Sequence, residues 1–268
     1  MQVHVFASSS RGNCALVSSA GTHILIDAGI SMRRIKNALG ELGLGPKDIS
    51  GVLVTHEHSD HIAGLASMVK QHQLPVYAPR TVGNHLRWSI AGIDDYLCEI
   101  PVGSDFRIGE ITILAFPTPH DTPQSVGYRM EAGALFGYCT DLGRVTGEVL
   151  EGLSGVDAAM IESNHDVEML RCGGYPVQLK RRILSDRGHL SNDACGELAA
   201  RLARDGTASL VLAHLSRENN RPELAEKTVS EALEREGILP GRDVILKVAP
   251  EARLMTLEIE RISSTCST

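Results

Sequence analysis

Hydrophobic positions along the chain follow two periods. Short apolar or alternating runs predict strands over residues 3–6, 14–17, 22–26, 51–54, 111–115, 126–131, 134–139, 158–161, 210–213, 244–248 and 254–259. Apolar residues spaced three or four apart predict helices over 32–42, 62–71, 191–203 and 222–236. No long Pro-, Gly- or Ser-rich linker interrupts this alternation. We therefore expect one domain over residues 1–268, with a short flexible tail from about residue 263.

A dense group of metal-binding residue types directly follows the apolar strand at 51–54. The sequence His56-Glu-His58-Ser-Asp60-His61 places four potential ligands within six residues. Imidazoles suit Zn, Fe and Mn, and carboxylates suit harder ions. A tight turn after a rigid strand can direct His56 and His58 to one ion, and Asp60 and His61 to a second. A surface His-rich loop is the alternative, but chance assembly of this pattern is improbable in a chain with 11 histidines.

Further candidate ligands follow other predicted strands. His120, Asp141 and His214 each come within a few residues of an apolar run. The ends of neighbouring strands meet at one edge of a sheet, where active sites commonly lie. Each residue alone would be an ordinary turn residue. Together with the cluster at 56–61, they predict a centre for two divalent ions, with Zn, Mn or Fe as candidates.

Composition limits the remaining possibilities. The formal charge of −7 argues against a large nucleic-acid surface, because such surfaces are usually basic. The six cysteines form no C-x-x-C motif, so a zinc knuckle or thioredoxin-like motif is not expected. The N-terminal residues lack the features of a signal peptide, and no apolar stretch reaches the length of a membrane span. We therefore expect a cytoplasmic protein. Nothing in the sequence predicts its oligomeric state.

The order of these motifs resembles the metallo-β-lactamase superfamily. The resemblance covers residues of about 3 to 260 and implies an α+β fold, the four-layer αββα sandwich. It assigns His56, His58 and His120 to one metal. It assigns Asp60, His61 and His214 to the other, with Asp141 bridging the two. The resemblance also implies that Asp27 lies behind the ligands and fixes the loop over residues 56–61.

Two subfamilies narrow the expected activity. Gly188-His-Leu-Ser-Asn192 and Leu212-Ala-His-Leu-Ser216 are similar to ribonuclease Z, which implies proton transfer to the leaving group by His189 with Glu162. His189 could equally be an ordinary residue before a helix. Only about twenty residues separate His120 from Asp141, so the long arm with which ribonuclease Z grips tRNA is missing.

The motifs Ser8-Ser-Ser-Arg-Gly-Asn-Cys14, Ile161-Glu-Ser-Asn-His-Asp166 and His214-Leu-Ser-Arg-Glu-Asn-Asn220 resemble the YycJ/WalJ family. This resemblance implies 5′→3′ exonuclease action on DNA. In the mechanism that we expect for such an enzyme, Asp60 both holds a metal and orients the attacking hydroxide. Hydroxyl, amide and imidazole groups could bind a terminal phosphate, although each is also a common turn or cap residue. These candidates are Ser9, Asn13, Asn164 and His165. The basic runs Arg33-Arg34 and Lys180-Arg181-Arg182 are either solvated faces or contacts to a DNA backbone.

Two other functions remain open from the sequence. The same fold could hydrolyse a thioester or lactone, in which case Ser9 and Asn13 would be dispensable. A non-catalytic metal-binding regulatory protein is the third hypothesis. The intact ligand set argues against it, because a decayed enzyme would be expected to lose ligands.

Overall fold

The computed structural model describes residues 1–261, so the tail predicted from about residue 263 lies outside the described residues. The strands of this part of the chain form two seven-stranded sheets. They are β1 (Gln2–Ala7), β2 (Cys14–Ser19), β3 (Thr22–Ile26), β4 (Gly51–Leu53), β5 (Val76–Pro79), β6 (Leu97–Ile100), β7 (Asp105–Ile108), β8 (Ile111–Pro117), β9 (Val126–Glu131), β10 (Leu135–Cys139), β11 (Ala158–Glu162), β12 (Ser209–Ala213), β13 (Ile245–Val248) and β14 (Met255–Glu258).

Several helices begin with conventional local signals. Ser191 caps one helix, because its hydroxyl accepts the Ala194 backbone N–H, and Pro222 opens another at its first turn. None of the helices within residues 1–261 has both the length and the apolar composition that crossing a bilayer would require. They are α1 (Met32–Glu41), α2 (Ser59–Ile62), α3 (Leu65–His72), α4 (Arg80–Ser89), α5 (Gly147–Gly152), α6 (Val167–Cys172), α7 (Val177–Ile183), α8 (Asn192–Arg204) and α9 (Pro222–Arg235).

The two sheets share a plan. The first has the order β14-β1-β2-β3-β4-β5-β6 and the second β13-β12-β11-β10-β9-β8-β7. Strands β3 to β6 are mutually parallel, as are β10 to β13, and the remaining pairs are antiparallel. In each half, a histidine follows one of the parallel strands, His56 after β4 and His214 after β12. The similar sequences around these two histidines therefore occupy similar positions in the two halves.

Three apolar clusters produce four layers. The cluster between the sheets contains residues of both, such as Val17 and Leu53 facing Tyr128 and Met160. A second cluster packs α1, α3 and α4 on the outer face of the first sheet. A third packs α5, α8 and α9 on the outer face of the second. The predicted αββα sandwich is confirmed.

Two local predictions differ from the structure. The helix expected over 62–71 is divided into α2 and α3, because Gly64 passes close to an earlier turn: its N–H donates to Ala28 O at 2.7 Å, and a Cβ there would lie 2.1 Å from Ile30 O. The segment from 73 to 110 contains three strands and a helix that the sequence pattern did not reveal. Strands β5, β6 and β7 have four residues each, too few for a period of two to be recognised.

Candidate metal centre

The predicted ligands lie at one edge of the sandwich, where parallel strands of both sheets end. Asp27 directly follows β3, and His56 comes three residues after β4. On the other sheet, Asp141 comes two residues after β10, Glu162 ends β11 and His214 directly follows β12. Because the parallel strands of both sheets end at this edge, side chains from both halves of the chain converge here.

Three of these residues have a left-handed backbone. The φ angles are +59° at Asp27, +60° at Asp141 and +55° at His214. Asp and His enter this region more readily than most residue types, yet the conformation still disfavours any residue with a Cβ. The chain thus turns sharply at the end of each strand, which places the side chain at the edge of the sheet.

The loop over residues 56–61 is held by backbone contacts with an earlier turn. Asn13 N donates to Asp60 O, and Ala28 N donates to His61 O, both at 2.8 Å. The turn approaches so closely that a Cβ on Gly29 would lie 1.7 Å from Asp60 O. Glycine is therefore required at position 29 for the loop to hold this position.

The first candidate metal group consists of His56, His58 and His120. One nitrogen from each ring lies within 4.8 Å of the others. The closest approach joins His58 Nδ1 to His120 Nε2, at 3.3 Å. His56 is fully buried, whereas the His58 side chain is 33% exposed, so the group is open on one side. The structure thus brings together the three side chains predicted for the first metal.

The second candidate group consists of Asp60, His61 and His214. Asp60 Oδ2 lies 3.3 Å from His214 Nε2 and 3.5 Å from His61 Nε2. Asp141 lies between the two groups, with Oδ2 at 3.1 Å from His61 Nε2 and Oδ1 at 3.8 Å from His120 Nε2. This position is the one that a bridging carboxylate requires, and the bridging role stays a prediction.

Four of the five imidazoles are oriented by an oxygen acceptor at Nδ1, which leaves Nε2 as the ring nitrogen that can bind a metal. Histidine ligands of metals typically have such a partner, because it fixes both the tautomer and the ring orientation. The pairs are His56 with Thr55 Oγ1 at 3.0 Å, His61 with Asp27 Oδ2 at 2.7 Å, His120 with Gly188 O at 3.0 Å and His214 with Glu162 Oε1 at 2.8 Å.

Two buried atoms of the site make no hydrogen bond among the described residues, although one of them, Asp141 Oδ2, lies in ion-pair distance of His61 Nε2 at 3.1 Å. His56 Nε2 and Asp141 Oδ2 make no hydrogen bond, although buried polar atoms in folded proteins nearly always do. Burial lowers the pKa of His56 well below its ordinary value, so that its imidazole is neutral and offers a lone pair. A divalent cation would satisfy both atoms. The side chains present therefore fit the expected pair of metal ions.

The carboxylates of the site attract positive charge. Burial alone would lower the pKa of His61 and His214, but the neighbouring carboxylates outweigh it. Asp141 and Asp27 raise the pKa of His61 well above its ordinary value, and that of His214 rises to about 10. Burial also opposes the ionisation of Asp60, yet hydrogen bonds from both histidines hold its pKa below the ordinary range. Protons or metal ions can supply the positive charge that these groups favour.

Asp27 lies behind the candidate ligands, and its supporting role stays a prediction. Its fully buried carboxylate accepts Thr55 N at 2.9 Å, Thr55 Oγ1 at 2.9 Å and His61 Nδ1 at 2.7 Å. The same hydroxyl of Thr55 accepts His56 Nδ1. One carboxylate thus orients a ligand of each candidate group, one directly and one through Thr55.

Glu162 holds two histidines rather than one. Its Oε1 accepts Nδ1 of both His189 and His214 at 2.8 Å, and Oε2 accepts the backbone N–H groups of Leu142 and Leu190. Burial opposes ionisation, but His189 and His214 outweigh it and lower the pKa of Glu162 to about 2. Glu162 in turn raises the pKa of His189, against the effect of burial. The sequence predicted the pair with His189 and missed the one with His214.

The residues predicted to bind phosphate have mixed surroundings. Asn13 Nδ2 lies 3.1 Å from His61 Nε2, and Asn164 Nδ2 donates to His214 O at 2.9 Å, so both amides already brace the metal-binding loops. Ser9 Oγ accepts the Arg11 N–H and lines a small cavity. His165 is buried, and neither ring nitrogen has a partner among the described residues. Phosphate binding by these four residues stays a prediction.

Three residues lie next to the site although the sequence did not place them there; Arg182 was considered only as a possible contact to a DNA backbone. Asp121 Oδ1 lies 3.4 Å from His120 Nε2 and 3.7 Å from His58 Nε2, and this carboxylate pairs with Arg182. Arg187 donates to His120 O and to the carbonyl of residue 122, both at 2.7 Å. The only sequence signals were that Asp121 directly follows a candidate ligand and that Arg182 ends a basic run. Residues that meet in space but lie this far apart in sequence produce no local sequence pattern from which their contact could be predicted.

The fold and this arrangement of side chains define the class of the protein, a metal-dependent hydrolase of the metallo-β-lactamase fold. Residues 22–215 match the family model described as "Beta-lactamase superfamily domain". The zinc-bound PqqB structure from Methylobacterium extorquens superimposes with a TM-score of 0.71 over 97% of this chain and 100% of that chain. The sequence identity of that pair is 19%, so the likeness concerns the fold.

Two relatives are similar along most of their length. The chain is 39% identical over 239 residues to exodeoxyribonuclease YycJ of Bacillus anthracis, a match that covers 88% of this chain and 90% of the relative. It is 34% identical over 265 residues to exodeoxyribonuclease WalJ of Streptococcus pneumoniae, covering 95% and 97%. The chain therefore belongs to the β-lactamase superfamily and, within it, to the YycJ/WalJ family.

Proposed function

We propose that this protein is a 5′→3′ DNA exonuclease that uses two divalent metal ions. The observation that carries the proposal is the pair of adjacent ligand groups joined by Asp141, because phosphodiester hydrolysis suits two neighbouring ions. The names of the YycJ and WalJ relatives support DNA as the substrate. Imidazoles and carboxylates together suit Zn, Mn or Fe as the metals.

His56, His58 and His120 would hold one ion, and Asp60, His61 and His214 the other, with Asp141 shared. When bound, the ions would neutralise charge on the scissile phosphate and supply a nucleophile from water near neutral pH. Asp60 is 22% exposed at its side chain, so its carboxylate can also orient the attacking water by accepting a hydrogen bond.

His189 is the proposed general acid. Its side chain is 19% exposed, which leaves the ring accessible to a substrate, and its Nδ1 is fixed by Glu162 at 2.8 Å. The negative charge of Glu162 raises the pKa of His189 despite burial, so the ring keeps a proton available for the leaving oxygen. His189 Nδ1 lies 3.7 Å from Asp141 Oδ1, so the ring lies beside the carboxylate between the two groups. Because Nδ1 is bound to Glu162, Nε2 is the nitrogen that would donate the proton.

The terminal phosphate would occupy a small cavity beside His214. Ser8 and Ser9 line this cavity of about 230 Å³ together with Ser216, Arg217 and Arg221. The Ser8 hydroxyl accepts His214 N at 2.8 Å, so the cavity directly adjoins the metal centre. Its volume lies below that of common ligand pockets, which suits one phosphate group more than a whole nucleotide. A terminal phosphate bound in this cavity would lie against Ser9.

The proposal is tested with linear duplex DNA bearing either 5′-phosphate or 5′-hydroxyl ends, incubated with protein and Mn²⁺. We expect stepwise release of nucleotides from the 5′ end, faster with the phosphate, and none with a His58→Ala control. Protein that holds two metals and digests neither DNA would refute the exonuclease proposal. A small ester or thioester would then be the substrate to test.

A further inference from the structure

The segment between Glu162 and His189 is the most basic part of the chain next to the site. Residues 167–188, here called the flap, contain α6, α7 and the turns around them. They carry five basic and two acidic residues, a net charge of +3, in a chain whose formal charge is −7. Most flap residues between 171 and 187 are exposed to solvent. The flap is therefore a local basic surface in a chain whose net charge is negative.

Contacts place the flap at the open side of the first candidate metal group. Arg182 pairs with Asp121, whose other oxygen lies 3.4 Å from His120 Nε2 and 3.7 Å from His58 Nε2. Arg187 donates to His120 O at 2.7 Å. The flap thus touches the segment that carries a ligand, on the side where the His58 ring is exposed.

A cavity of about 530 Å³ adjoins the flap on this side. Its walls include His120, Arg144 and Arg187. The volume falls in the range of pockets that enclose a small organic molecule, so it can admit a nucleotide. The cavity beside His214 is less than half as large. A strand with its end in the smaller cavity would have room to continue past the metal centre toward the flap.

Part of the positive charge of the flap is not neutralised within the described residues. Arg171 pairs with Glu168, and Arg182 pairs with Asp121. Lys180 donates to the Arg171 carbonyl, which is neutral, and Arg181 makes no ion pair with any residue the structure describes. Two adjacent cations are thus available to phosphates. Within residues 1–261, the other basic run, Arg33-Arg34, makes no hydrogen bond or ion pair with the ligand-bearing segments.

We propose that the flap binds the phosphodiester backbone of duplex DNA beyond the scissile bond, through Lys180 and Arg181. This inference rests on the proposed function, since it identifies how the same site would hold its substrate. Phosphate contacts of this kind position a duplex without reading its sequence, which suits an exonuclease that must accept every sequence.

Binding is measured with the full chain loaded with two equivalents of Mn²⁺ and a 3′-labelled duplex whose 5′-terminal linkages are phosphorothioates that resist hydrolysis. Fluorescence anisotropy gives the affinity over a series of salt concentrations. The variants are Arg181→Gln and the double variant Lys180→Gln/Arg181→Gln. The matched control is Lys227→Gln/Arg235→Gln, which removes one lysine and one arginine from the exposed face of α9.

Each lost phosphate contact lowers the slope of log affinity against log salt by about 0.9. We expect slopes reduced by about 0.9 and 1.8 in the single and double variants, and an affinity roughly 60-fold weaker in the double variant at 0.1 M salt. The control should keep the wild-type slope. Equal slopes for wild-type and flap variants would overturn the inference, as would an equal loss in the control.

A hydrolysis assay with the same wild-type protein distinguishes failure of this inference from failure of the proposed function. Hydrolysis of bis(p-nitrophenyl) phosphate by the wild-type chain reports on the metal site alone. This diester is too small to contact the metal site and the flap at the same time. If the wild type cleaves this diester and DNA while the flap variants bind DNA normally, the flap inference alone fails. If the flap variants lose salt-dependent DNA binding and the wild type cleaves neither substrate, the inference stands and the hydrolytic proposal fails.

Discussion

Replacing Glu162 by glutamine should damage the site more than the similar shape suggests. Each carboxylate oxygen accepts two N–H groups, Oε1 from His189 and His214 and Oε2 from Leu142 and Leu190, at 2.8 to 3.1 Å. An amide has one oxygen and one NH₂ group. If the NH₂ group faces the backbone N–H groups of Leu142 and Leu190, two buried hydrogen bonds are lost. If it faces His189 and His214 instead, each ring keeps its contact only by moving its proton to Nε2, and His214 then has no lone pair there for a metal.

The loss can be estimated from the burial of Glu162, which is complete. A buried hydrogen bond to a charged group contributes about 1.5–3 kcal/mol, so two amount to roughly 3–6 kcal/mol. Domains of this kind are stable by about 5–15 kcal/mol, so Glu162→Gln should still fold but with a much lower urea midpoint. Partners behind a metal ligand typically change affinity by about 10- to 100-fold. We expect that loss at the group containing His214 and not at the group of His56, His58 and His120.

The assay is urea denaturation of the metal-free protein, together with competition titration of two equivalents of Zn²⁺ against a chelating dye. Glu197→Gln is the matched control, because Glu197 lies exposed on α8 and should change neither measurement. Glu162→Gln that binds both equivalents with wild-type affinity and unfolds at the wild-type midpoint would refute the reasoning. Equal weakening of both equivalents would show that Glu162 supports the whole centre rather than the His214 side.

Three further substitutions test individual contacts. Asn13→Ala removes the amide beside His61, so metal affinity should fall several-fold in the chelator titration, whereas unchanged metal affinity with a loss of preference for 5′-phosphate ends would favour phosphate binding instead. Gly29→Ala would place a Cβ 1.7 Å from Asp60 O, and we expect loss of soluble folded protein or of metal binding. The control is Gly40→Ala in α1, where a Cβ meets open space, and this variant should stabilise the folded protein by about 0.5–1 kcal/mol. Asp141→Gly and Asp141→Ala remove the same carboxylate, but only glycine tolerates φ of +60° freely. The glycine variant should therefore be the more stable in urea by about 1 kcal/mol, and the opposite order would contradict the left-handed backbone.

The convergence of the candidate ligands was predictable because several of them follow strand ends. His56, Asp141 and His214 come after apolar runs, as does Asp27 behind them, and the sheet brings such ends together whatever the remaining sequence. The fold followed from the order of these motifs. What could not be predicted are contacts between distant segments that leave no periodic signal. The hydrogen bond between Glu162 and His214 and the position of Asp121 are two such contacts. Each depends on how loops from distant parts of the chain meet.

The family-specific motifs have a structural explanation that their sequences did not reveal. The motif at 161–166 and the motif at 214–220 meet in one buried network of amides: Asn220 Nδ2 donates to Ser163 O and Asn164 O, and Asn192 Nδ2 donates to Asn220 Oδ1. Ser216 N also donates to Asn164 O at 2.8 Å. These side chains fix the loop that carries His214 and lines the smaller cavity. They can contribute to substrate binding by positioning that loop, without touching a phosphate.

The strained strand ends show how the centre is preorganised. A left-handed backbone costs about 1–2 kcal/mol at a residue with a Cβ, so the three such residues of the site oppose folding by roughly 3–6 kcal/mol. Buried hydrogen bonds offset this at two of them. Asp27 N donates to Leu53 O, and His214 N donates to Ser8 Oγ while its carbonyl accepts Asn164 Nδ2. Since the protein itself determines these turns, the backbone of the ligands should keep the same conformation whether or not metal is bound, and binding energy need not be spent on ordering it.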